Sequence, residues 1–208
     1  AKGSPTGPQN EVCMGCHSDG NMIHWIGSVH EEEEVACASC HEVHAPQDPV
    51  MDKLAQQEKC FACHPRTRAQ TFRASSHPLR FGSMTCTDCH NPHNGANDYL
   101  LTHSTINDTC YTCHAEKRGP FLWEHAPVTE DCTLCHNSHG SNHAGMLKQR
   151  SPLLCQQCHS PGGHPATAYT SETAENSFQQ RFLLAQSCNN CHSQVHGSNH
   201  PSGVTGLR

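Results

Sequence analysis

The chain has 208 residues and a formal charge of −6, so it lacks the basic footprint that a nucleic-acid binder needs. Cysteine (16) and histidine (20) outnumber Phe, Trp and Tyr (6, 2 and 3), which leaves too few apolar side chains for an ordinary core. No run approaches the roughly 18 apolar residues of a membrane-spanning helix, and core-poor chains of this kind depend on disulfides or bound metals.

In chain order, the polar opening "AKGSPTGPQNE" reads as a processed terminus of an exported protein. The first motif, CMGCH, supplies Cys13, Cys16 and His17. His24, Trp25 and His30 follow, and Trp25 is expected to pack. The run Glu31–Glu34 reads as a solvated loop, with a docking patch for a basic partner as the sharper alternative. CASCH brings Cys37, Cys40 and His41, then His44 and the turn-forming "APQDP".

The second unit begins with "LAQQEKCFACH" (54–64), a short helix carrying Cys60, Cys63 and His64. His77 stands alone, CTDCH gives Cys86, Cys89 and His90, and His93 follows closely. After His103, the third unit holds CYTCH (Cys110, Cys113, His114), the cationic pair Lys117 and Arg118, and Trp123. It continues with His125, CTLCH (Cys132, Cys135, His136), His139 and His143. The fourth has CQQCH (Cys155, Cys158, His159) and His164 inside "SPGGHP". "AENSFQQRFLLAQSCNNCH" (174–192) is the best longer helix, and it ends in Cys188, Cys191 and His192, with His196 and His200 beyond.

All sixteen cysteines thus lie in eight CxxC pairs, each followed at once by histidine. That is the attachment motif for c-type haem: two thiols bond the macrocycle and the adjacent imidazole becomes the proximal iron ligand. Four-thiolate zinc sites or disulfides need no histidine there. Eight occurrences by chance have a probability on the order of 0.1 to the eighth power for a residue this frequent.

The proximal ligands are then His17, His41, His64, His90, His114, His136, His159 and His192. The motifs alternate in a two-haem repeat (approximately 10–46, 57–95, 107–142 and 152–200) of CxxCH, a lone His, CxxCH and a closely following His. The lone and following residues, His30, His44, His77, His93, His125, His139, His164 and His196, are candidate distal ligands. His200 competes with His196, whereas His24, His103 and His143 fall outside the pattern. A following His such as His139 sits too close to its own proximal His to reach the opposite porphyrin face, so it is expected to serve a neighbouring haem.

Sixteen ligands for eight irons give a single octahaem domain over residues 1–208, a multihaem cytochrome c. It should be mostly irregular with short helices, almost no strand and an elongated haem chain, and it should not fold without haem. Full coordination favours electron transfer over catalysis. A nitrite- or hydroxylamine-type enzyme needs a vacant iron face.

"NDTCYTCHAEKRGPFLWEHAPVTEDCTLCHNSHG" (107–140), "SPLLCQQCH" (151–159) and "CNNCHSQVHGSNHPSG" (188–203) resemble the MtrA/DmsE type of periplasmic multihaem cytochrome, which includes the PioA/MtoA proteins. The resemblance implies a haem chain held inside an outer-membrane β-barrel porin. Such a chain passes electrons between periplasmic carriers and an outer-surface cytochrome, a terminal reductase or a mineral. A soluble periplasmic shuttle and a polymerised filament are the alternatives. The family pattern has ten haems, and the departure here is the two at its amino-terminal end.

Overall fold

The computed structural model describes residues 4–94, 97–159, 188–190 and 192–201. The described secondary structure is a series of short helices and single 3-10 turns: α1 Thr6–Met14, α2 Val29–Glu32, α3 Cys37–Cys40, α4 Gln56–Phe61, α5 Pro65–Thr71, α6 Ile106–Tyr111 and α7 Ala126–Glu130. Among the described residues there is no strand, only isolated antiparallel bridges. The chain is therefore mostly irregular with short helices, as its sequence suggests. The expected helix at 54–64 is realised as α4, whereas the expected helix over 174–192 lies largely outside the described residues.

Apolar packing is sparse. Trp25, Phe61 and Leu101 are the buried large apolar side chains among the described residues, while Phe81 is 73% and Val12 79% exposed. What organises the chain locally is polar. Within each unit, a side chain just before the first motif holds the start of the second. Asn10 accepts from the Cys37 N–H at 2.9 Å and donates to Val35 C=O. Asn107 does the same with Cys132 N–H at 2.8 Å and with Val128 C=O. In unit two Gln56 accepts from Thr87 N–H, and in unit four Ser151 accepts from Cys188 N–H. A buried amide satisfied on both its oxygen and its nitrogen fixes two segments at once.

Between units a second device recurs. The backbone near His77 and near His125 docks on the segment around the following His of the next unit, bridging Ser75 to Ser141 and Trp123 to Ser198. Gly140, just after His139, has φ +129°, and a Cβ there would run into the Gln70 carbonyl. Gly197, just after His196, has φ +117° and lies against the Phe121 ring. Glycine permits both the backbone angle and the close approach.

The glutamate run departs from the loop expected of it. Glu31 and Glu32 belong to α2, whose Ser28 side chain caps the Glu31 N–H at 3.2 Å. Ser28-x-x-Glu31 is a capping-box spacing, and only Glu33 and Glu34 lie beyond the helix.

Candidate haem-iron ligands

Every motif forms one tight turn. The histidine N–H donates to the carbonyl of the first cysteine at 2.9–3.0 Å in all eight, from His17 to Cys13 through to His192 to Cys188. Each first cysteine except Cys37 of α3, Cys86, Cys132, Cys155 and Cys188 sits late in a helix, and those five begin a helix or 3-10 turn. One helical turn brings residues i, i+3 and i+4 to a common side, as two thioethers and a proximal imidazole on one porphyrin require.

The thiols also order the motifs in space. The first cysteines within a unit lie beside each other: Cys13 with Cys37, Cys60 with Cys86, Cys110 with Cys132 and Cys155 with Cys188. Across units, Cys40 lies near Cys60 and Cys63, Cys89 near Cys113 and Cys135 near Cys158. Motif order in the chain is thus order in space. Burial pushes the Cys110 thiol up to about 12, and it also raises Cys40, Cys89 and Cys135. No disulfide joins the described cysteines, and no group of three or more His, Cys, Asp or Glu side chains gathers around a metal-sized point among the described residues.

The imidazoles come in facing pairs. Ring centroids are 6.2 Å apart for His30 and His64, 5.9 Å for His41 and His93, and 6.3 Å for His77 and His114. They are 6.0 Å apart for His90 and His139, 6.0 Å for His125 and His159, and 6.1 Å for His136 and His196. Each pair joins a proximal histidine to a candidate distal one from a neighbouring unit. Two metal–nitrogen bonds of about 2 Å each, plus the distance from each nitrogen to its ring centre, put such centroids roughly 6 Å apart. With only two protein ligands per pair, the metal must bring its remaining ligands with it, as a porphyrin does. The residues fit haem.

Hydrogen bonds fix the rings in the ligating sense. His30, His77 and His125 donate from Nδ1 to the carbonyls of Pro92, Ser138 and Val195 at 2.9 Å, each acceptor being the residue before the next unit's following His. His90 and His136 donate from Nδ1 to the carbonyls of Tyr99 and Gly145 at 2.8 Å. His41 instead donates to the Asp48 carboxylate at 2.6 Å. A bonded Nδ1–H leaves the Nε2 lone pair for a metal. Burial, followed by neighbouring imidazoles or Lys117, lowers the pKa of His93, His139 and His196, which keeps them neutral as a ligand must be. At Asp48 burial acts upward, but the bonds from His41, Glu42 N–H and Val50 N–H outweigh it and the carboxyl lies below its usual range.

Other expected residues are placed differently. His17 and His44 are exposed, and no second imidazole faces either among the described residues. His164 and Cys191 lie outside the described residues. His196 faces His136, whereas the His200 carbonyl accepts from Trp123 Nε1 at 3.0 Å. Trp25 meets the His93 ring edge-on at 6.0 Å, and Arg118 packs over the Tyr111 ring. His103 bonds the Thr112 hydroxyl at 3.2 Å and shares a surface cleft with His24. Sequence reasoning missed Asp48 and the clamp residues Asn10, Gln56, Asn107 and Ser151. An Asn three residues before the motif in both "NEVC" and "NDTC" was the available signal for two of them.

Eight one-turn CxxCH motifs and imidazoles paired at iron-spanning distance define a multihaem cytochrome c. The comparisons agree. The family model for a doubled CXXCH motif matches residues 77–119 and 125–164, and that for NrfB-like cytochrome c-type proteins matches residues 2–55. The multiheme cytochrome MtrA of Shewanella baltica (strain OS185) is 55% identical over 197 residues, 94% of this chain and 59% of that protein. The cytochrome c-type protein NrfB of Escherichia coli O6:H1 is 39% identical over 79 residues, 35% of this chain and 41% of that protein. This is a multihaem cytochrome of the MtrA type, and the chain spans 59% of the length of that MtrA.

Proposed function

We propose that the chain transfers electrons along a row of eight covalently bound c-type haems, as the porin-embedded part of an outer-membrane conduit facing the periplasm. The six facing imidazole pairs carry this reading, because a doubly ligated iron has no position for a substrate. Haem iron supplies reversible one-electron ferric/ferrous chemistry. The residues attach and orient it: the sixteen motif cysteines as thioethers, the eight motif histidines below the irons. The assigned distal ligands are His30, His77 and His125 to the irons of His64, His114 and His159, and His93, His139 and His196 to those of His41, His90 and His136.

A single rule covers all six. Each lone His reaches forward one unit, and each following His reaches back one. By that rule the irons on His17 and His192 take no distal ligand from the six pairs, and His44 and His164 are not assigned to an iron.

The proposed partners are a β-barrel porin, an outer-surface multihaem cytochrome or terminal reductase, and periplasmic electron carriers. No helix among the described residues is long and apolar enough to cross a membrane. Support comes from the resemblance to MtrA and from the continuous motif order. The test is reconstitution of the haem-loaded protein with and without its β-barrel in liposomes containing a reduced dye. Oxidation of the enclosed dye by an external oxidant, dependent on both proteins, supports the conduit. A protein that purifies free of any barrel and carries no such current refutes it.

A further inference from the structure

The even-numbered motifs should be equivalent sites, yet one of them differs in a way that bears on its iron. His90 and His136 each donate Nδ1–H to a backbone carbonyl nine residues on, Tyr99 and Gly145, at 2.8 Å. The corresponding loop of unit one is shorter, and His41 meets the side chain of Asp48, seven residues on, at 2.6 Å. The other carboxylate oxygen accepts from the N–H groups of Glu42 and Val50, both at 3.2 Å, which lock the side chain against the ring. Among the described residues, no Lys or Arg pairs with Asp48; its side-chain partner is the His41 ring. The Asp48 side chain is 18% and that of His41 32% exposed, so the contact is shielded on most sides.

We infer that Asp48 is a positioning residue that holds the iron of His41 and His93 at a lower reduction potential than its counterparts on His90 and His136. The inference rests on the ligand assignment above. A carboxylate draws the Nδ1 proton more strongly than a carbonyl does, so the imidazole becomes more electron-rich and the more basic ligand. Hydrogen bonding behind an axial ligand and local net charge are recognised levers on haem potential. Both favour the ferric form here. The couple is one electron, ferric to ferrous, and the Nδ1 proton stays on the ring throughout. An electron is therefore held less readily at the second haem than at the fourth or sixth. The row is thus not uniform at equivalent positions, which the sequence repeat alone would not show.

Asp48→Asn and Asp48→Ala, in the haem-loaded protein, test this by potentiometric titration with optical and EPR detection. His93→Ala marks the second haem by turning one of the eight irons high-spin and identifies its redox wave. Glu34→Gln, an exposed charge-matched change, controls for net charge. The expected result is a positive shift of the marked wave in both Asp48 variants by at least tenfold in its reduction equilibrium. That is about 59 mV for a one-electron couple. The six doubly ligated haems should remain low-spin with altered g values for one, a signature that loosened packing alone would not give. A marked wave that moves no further than in Glu34→Gln, or a shift confined to a different wave, overturns the inference while leaving the ligation intact. If His93→Ala creates no high-spin iron, the ligand assignment itself fails and the inference falls with it.

Discussion

Asn107→Ala should destabilise the haem-loaded protein by about 2–3 kcal/mol, because the side chain it removes joins two motifs of one unit. Asn107 is 8% exposed. Its Oδ1 accepts from Cys132 N–H at 2.8 Å, and its Nδ2 donates to Val128 and Thr129 carbonyls at 3.0 and 3.2 Å. Truncation strands the Cys132 N–H in a partly buried site, which costs about 1–3 kcal/mol. Thr129 is exposed and its carbonyl gains water in exchange, so that loss adds little. Against a total of about 5–15 kcal/mol for a typical domain, the change is easily measured. Guanidinium unfolding followed by Soret circular dichroism reports it, since that signal depends on how neighbouring haems are held. Asn142→Ala, at an exposed position of the same unit, should stay within about 0.5 kcal/mol of the parent. Asn10→Ala should match Asn107→Ala, because it breaks the same clamp in unit one. If Asn107→Ala falls within 0.5 kcal/mol of Asn142→Ala, the clamp is not what fixes the pair.

Three further outcomes are expected. His139→Ala should turn one haem in eight high-spin, the one on His90, as read by EPR and near-infrared magnetic circular dichroism, whereas His44→Ala should add no high-spin iron. High-spin signal from the second variant and none from the first would reverse the assignment. Gly140→Ala should cost about 1–3 kcal/mol from backbone strain alone, with the approach to the Gln70 carbonyl adding to it, and a neutral result in the same unfolding assay would contradict it. The chain produced without haem attachment should give a disordered far-ultraviolet spectrum; a cooperative thermal transition in that apoprotein would show that side chains alone suffice.

The eight attachment motifs, the two-motif unit and the sparse apolar core could all be read from residue spacing, because covalent attachment and proximal ligation are local. Which iron each distal histidine serves could not. His44, His93 and His139 all follow a motif histidine by three residues, yet His93 and His139 meet facing rings while His44 stands exposed. The difference is set by docking between units, through contacts such as Ser75 with Ser141, which no local pattern encodes. Asp48 was hidden for a similar reason. It sits in a turn that reads as punctuation, and only the fold shows that its carboxylate has taken the place of a carbonyl. The cap on α2 was legible and overlooked: four glutamates suggested a loop, although the serine three residues before Glu31 marks a helix start.

The direction of the pairing decides what kind of repeat protein this is. In ordinary repeat arrays, neighbours touch through packed faces, and stability is a sum of repeat and interface terms. Here each described boundary is crossed by two imidazole pairs running in opposite senses: His30 with His64 and His93 with His41, then His77 with His114 and His139 with His90, then His125 with His159 and His196 with His136. Once iron joins each pair, no unit can move away without breaking coordination on haems of both its own and its neighbour's motifs. The units are therefore interlocked rather than stacked, and loss of one distal ligand should loosen the boundary it crosses while the opposing pair still holds. That redundancy lets a chain with few buried apolar side chains keep successive haems in fixed register, which is what electron transfer along the row requires.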